Sequence, residues 1–72
     1  MLKPYAKDGS TLDESCRYKR DGLFRVGPKG QHVTFSDLVE ALDYMRKYNV
    51  NHWRRPSATT GAPGVVVAVR WA

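Results

Sequence analysis

The side chains that could carry chemistry are few: one cysteine, two histidines and seven carboxylates in 72 residues. Cys16 beside His32 or His52 would supply a thiol and a base, the two parts of an activated sulfur nucleophile. Nothing in the spacing of these residues brings the parts together, and a lone cysteine is more often a small packed or surface residue. A zinc site needs about three or four Cys, His or carboxylate ligands, and no closely spaced set exists around His32 or His52. Asp13 and Glu14 are neighbours in the chain, so they do not face each other across a substrate as paired acid and base do. Gly27-Pro28-Lys29-Gly30 lacks the spacing and the Lys-Ser/Thr ending of a phosphate-binding loop and reads as a turn. The sequence therefore predicts no catalytic residue, no metal and no cofactor. A single cysteine also forbids a disulfide within the chain, which points to a cytoplasmic location.

Charge carries more information than these groups do. Twelve Lys and Arg oppose seven Asp and Glu, giving a net charge of +5. The basic residues gather in 16–30, where Asp21 is the one acid, and in 51–72, which has no acid. A mildly acidic stretch separates the two. Such clustering raises the expectation of a polyanionic partner, because Lys and Arg release the counterions condensed on phosphates. The competing reading is an ordinary basic domain with a solvated surface, since +5 is within the range that solubility alone explains. The sharpest local feature is His52-Trp53-Arg54-Arg55-Pro56. Arginines interleaved with an aromatic recur where bases stack on rings and guanidinium planes. The competing reading is a core Trp53 on an edge strand with solvated arginines, and the apolar area of a Trp favours it for Trp53 itself.

These residues must be positioned by a small fold. At this length the chain is one domain, with a core but no roomy cavity. Residues 1–15 hold few apolar side chains and several breakers, and predict an irregular or partly disordered arm; residues 16–72 form the domain. No apolar run is long enough for a membrane-spanning helix, and the first residues lack the apolar core of a secretory leader, so no membrane partner is expected. Asp21-Gly22 and Gly27-Pro28-Lys29-Gly30 predict turns between the candidate strands 16–20, 23–26 and 31–33. Leu38, Ala41, Leu42, Met45 and Tyr48 recur at the spacing of one helical face and predict a helix over 35–48. Thr34 is its expected N-cap, Asp37 its capping-box partner, Val33 and Leu38 the staple, and Asn49 the stop. Strands over 50–55 and 65–71 follow, separated by the small-residue loop 57–64. The order β-β-α-β-β, with room for one further N-terminal strand, predicts an α+β two-layer sandwich. In it a small antiparallel sheet carries one helix on one face.

Strand alternation then assigns faces. Val65, Val67, Val69 and Trp71 are the wholly apolar set of the last strand and are expected under the helix, with Phe24, Val26 and Trp53. Arg25, His32, His52, Arg54 and Arg70 are expected on the open face around Val66 and Ala68. The function this suggests is a small non-enzymatic module that binds DNA or RNA through a basic sheet face. Arg25, Arg54, Arg55 and Arg70 would meet phosphates, joined by Lys19, Arg20 and His52. A two-stranded ribbon or a sheet face can enter a major groove. The alternative is a protein-interaction module, in which the same face meets an acidic protein or a second copy of the chain.

Overall fold

The computed structural model of the chain describes residues 2–28, 30–56 and 63–72. They form β1 (Pro4–Ala6), a 3-10 turn (Glu14–Cys16), β2 (Phe24–Val26), β3 (Val33–Phe35), α1 (Leu38–Lys47), β4 (His52–Pro56) and β5 (Pro63–Trp71). The strands make one sheet in the order β1-β5-β4-β2-β3. Every pairing is antiparallel. Helix α1 packs on one face over β2 and β3, so the fold is the expected α+β two-layer arrangement.

Helix α1 buries Ala41, Leu42 and Met45, the face that the spacing marked. Its start differs from expectation. Thr34 and Phe35 are taken by the β2–β3 ladder, where Thr34 pairs with Arg25 and Phe35 with Phe24. A residue held in a ladder cannot also open a helix, so the first helical residue falls at Leu38. Asp37 becomes the N-cap in extended backbone, and its side chain makes no capping hydrogen bond. The stop is as expected: Asn49 adopts φ 54°, a left-handed conformation that Asn tolerates better than most residues.

Residues 1–15 contribute more than an irregular arm. Pro4–Ala6 lies along β5, and beyond it Lys3 and Ala72 exchange both backbone hydrogen bonds, at 2.6 and 3.0 Å. Leu12 and Cys16 are fully buried in the core, and the 3-10 turn that ends at Cys16 packs against β4. The N-terminal segment thus extends the layer that α1 begins. Asp13 caps the 3-10 turn by accepting from the Ser15 N–H.

Residues 16–20 do not pair as a strand. The Asp21-Gly22 turn is present but closes tightly, with the Gly22 N–H donating to the Tyr18 carbonyl and the Tyr18 N–H to that of Leu23. The Asp21 carboxylate accepts from the Leu23 N–H at 3.1 Å, an Asx turn. At the end of β2, Gly27 sits at φ 113°. A Cβ there would lie 3.1 Å from the Gln31 carbonyl oxygen and 3.2 Å from the His32 Cα, so only glycine fits the turn into β3. Of the expected loop 57–64, residues 57–62 lie outside the described residues. Pro63 and Gly64 belong to β5 and pair with Pro56 and Arg55.

The face assignment of β5 is the main correction. Val66 pairs with the buried Trp53, and Ala68 is itself buried. Val65, Val67 and Val69 point the other way and are 44%, 46% and 64% exposed. Trp71 nevertheless packs against the core. The register explains how. Tyr5 pairs with Arg70 and Ala6 with Ala68, so one step on β1 matches two on β5. This β-bulge inserts one extra residue and reverses the alternation beyond it. Trp71 therefore turns inward beside the buried Pro4, and Arg70 turns outward beside Tyr5.

Candidate functional site

The open face is built in rows across the sheet. In the first, Thr34, Arg25, Arg54 and Val65 stand side by side on β3, β2, β4 and β5. In the second, His52 pairs with Val67. Beyond the bulge, Arg70 pairs with Tyr5. Directly opposed side chains share a face, so Arg25, His52, Arg54 and Arg70 lie on one side of the sheet. They surround Val65, Val67 and Val69, not Val66 and Ala68.

Two of the three arginines are stacked. The Arg25 guanidinium lies 4.1 Å from the Tyr18 ring centroid, and Arg70 lies 5.3 Å from that of Tyr5. Both are within the range of a cation–π contact. Arg25 also donates to both carboxylate oxygens of Asp21. That guanidinium, with the Leu23 N–H, holds the Asp21 carboxyl below its ordinary range. The segment before β2 straddles the sheet end: Tyr18 lies under Arg25, while Arg17 stacks over Phe24 on the core side at 4.4 Å.

Arg54 is different. It is 8% exposed, and its Nε has no hydrogen-bond partner among the described residues. No ion pair to it occurs among them either. Arginine stays protonated in proteins, so Arg54 is a fixed positive charge beneath the surface of the face. A charge so placed is screened less by salt than an exposed one.

Arg55 follows Arg54 and takes the other side of the sheet. The β4–β5 register runs without a shift through Pro56, so nothing reverses the alternation there. Arg55 donates to the Ser10 hydroxyl at 3.0 Å, on the side of the N-terminal segment. It is therefore apart from Arg25, Arg54 and Arg70. Lys19 and Arg20 are exposed in the Tyr18–Gly22 turn, beside Asp21 and at the Arg25 end of the face. His32 is exposed in the chain entering β3 and is not paired in the sheet.

Cys16 is enclosed in the core, and its thiol donates to the Thr11 carbonyl at 3.6 Å. Burial pushes that thiol up from its ordinary range, which opposes formation of the nucleophilic thiolate. No group of three His, Cys, Asp or Glu side chains capable of holding a metal occurs among the described residues. Among them also, no helix is long and apolar enough to cross a membrane.

Sequence reasoning missed Tyr5 and Tyr18 as parts of this face. Tyr5 sits in a segment without periodicity and Tyr18 in a stretch whose alternation suggests a strand that does not form, and only the fold brings each under an arginine. Comparison of the chain with family models, curated proteins and solved structures finds no match.

Proposed function

We propose that the protein is a nucleic-acid-binding module without a reaction of its own, acting in the cytoplasm, and that its ligand lies on the open face of the sheet. The observation that carries this reading is the sharing of one face by Arg25, His52, Arg54 and Arg70, with Asp21 as the carboxylate beside them. The bound phosphates would supply the anionic partner that Arg54 lacks among the described residues. Lys19 and Arg20 extend the positive rim, and the net charge of +5 draws a polyanion to the chain over distance.

The test is fluorescence anisotropy of a labelled oligonucleotide titrated with the protein at low salt. The reading expects binding tighter than ~10⁻⁴ M, the weak end of ordinary non-specific binding, and loss of affinity as salt rises. Weaker binding, or binding indifferent to salt, contradicts it.

A second reading has its own observation. Val65, Val67 and Val69 are exposed in succession on the same face, and contiguous exposed apolar surface marks protein contacts. The module would then hold an acidic protein or a second copy of itself. Sedimentation of the protein alone tests self-association: a concentration-dependent dimer supports it, and a monomer at all concentrations leaves only the acidic partner.

A further inference from the structure

We infer that the ligand of the open face is a single strand with unpaired bases rather than a duplex; this rests on the nucleic-acid reading above. Three features of the face point the same way. The first is its width. Five strands at a spacing of ~4.8 Å make a surface ~19 Å across, and the major groove of a duplex is ~12 Å wide. A two-stranded ribbon enters such a groove; this sheet does not.

The second is its chemistry. A duplex offers phosphates at its outside and hides its bases, so an apolar stripe facing it would stay unmatched. Here Val65, Val67 and Val69 stand exposed along ~13 Å of strand. Splayed bases present apolar faces that can cover such a stripe.

The third is the pair of stacked arginines at either end. From Arg25 on β2 to Arg70 on β5 is two strand spacings across and about five residues along, roughly 18 Å. Each guanidinium has a tyrosine ring on one side, Tyr18 under Arg25 and Tyr5 under Arg70. Arg70 is exposed and Arg25 partly buried against Asp21; a base would stack on the plane of each guanidinium that faces away from its ring. The ring beneath restricts the guanidinium, so less side-chain freedom is lost on binding. Between these two ends, Arg54 provides the buried charge that the phosphates neutralise. The strand thus crosses the sheet diagonally, with bases over the arginine stacks and the valines.

The experiment compares a labelled short oligothymidylate with the duplex it forms with its complement, by anisotropy over a range of salt. The single strand is expected to bind at least ~10-fold tighter, as a few stacked bases provide. Its log K against log salt should have a slope near ~−2, for three arginines at ~0.7 each. Val67→Asn keeps the charge and alters an exposed position. It should weaken the single strand about fivefold or more while leaving the salt slope unchanged. Equal or tighter binding of the duplex overturns this inference and leaves the nucleic-acid reading standing. An unchanged affinity in Val67→Asn overturns it in the same way. Binding of neither probe tighter than ~10⁻⁴ M overturns both.

Discussion

Arg25 and Arg54 stand directly opposite each other across the β2–β4 ladder, and of the two only Arg25 holds a carboxylate among the described residues. Like charges in directly opposed positions repel. The structure eases this at one end only. Asp21 and the Tyr18 ring take up Arg25, while Arg54 remains buried beside Val65 with no partner for its Nε among the described residues. On the binding reading proposed above, an external anion would complete Arg54, and Asp21 would be the group that tunes the face.

Asp21→Asn should therefore strengthen nucleic-acid binding. The Asn side chain can still accept from the Leu23 N–H, so the turn survives. Arg25 loses its partner, and the face gains one positive charge. Exposed ion pairs are worth about 0.2–1 kcal/mol. This pair is partly buried, so the gain should be at least a few-fold at low salt and shrink at high salt. Unchanged affinity would mean that Arg25 takes no part.

The Asp21–Arg25 pair also gives a sign to the acid dependence of stability. The Asp21 carboxyl is held below its ordinary value, chiefly by Arg25. Its contribution is present above that value and is lost as pH falls through the lowered folded value. Asp21→Asn should remove that part of the acid sensitivity, measured as a flatter fall of the thermal midpoint below the ordinary carboxylate range. A difference that appears only near neutrality would contradict the assignment.

The core offers a direct test of the N-terminal segment. Leu12 is fully buried, as is Leu42 on α1. Replacing either by Ala should cost ~2–5 kcal/mol, the range for core leucines. If Leu12→Ala costs under ~0.5 kcal/mol in denaturant unfolding, the segment before β2 is not part of the cooperative core.

Cys16 should behave as a packed side chain. Its thiol is enclosed and its ionisation disfavoured. Reaction with an aromatic disulfide reagent at neutral pH should be far slower than for free cysteine, and should reach that rate only in denaturant. Rapid reaction in the native protein would contradict the burial.

The legible parts of this fold were those with a period. The helix face Ala41-Leu42-Met45 stood out because its far side is polar, and Trp53 was placed inward by its size and by His52 and Arg54 around it. The last strand was the opposite case. Val65 to Val69 is apolar at every position, so only Trp71 against Arg70 distinguishes the two faces, and that distinction points to the wrong one. The extra residue near Val69 then reverses the alternation, which placed Arg70 on the open face for a reason the sequence does not display. The strand Pro4–Ala6 and buried Leu12 were hidden because three residues, or one Leu among polar neighbours, carry no period. The helix start was misplaced because Thr34 suits an N-cap and a strand equally, and ladder pairing decided for the strand. Of the site, Arg25, Arg54, Arg70 and His52 were legible by position; their setting on Tyr18 and Tyr5 was not, since contact across the fold made it. Arg55 was grouped with them by adjacency, and adjacency in a strand is what separates two side chains.

The central claim is that the open sheet face is the binding surface, and amide chemical shifts test it most directly. Titrating the isotope-labelled protein with an oligothymidylate at low salt should move the amides of Arg25, His52, Arg54 and Val65 through Arg70, together with Tyr5 and Tyr18. Amides along α1 should stay in place. Shifts confined to α1 or to the Ser10–Arg55 side of the sheet, or no shifts at saturating oligonucleotide, would contradict the account.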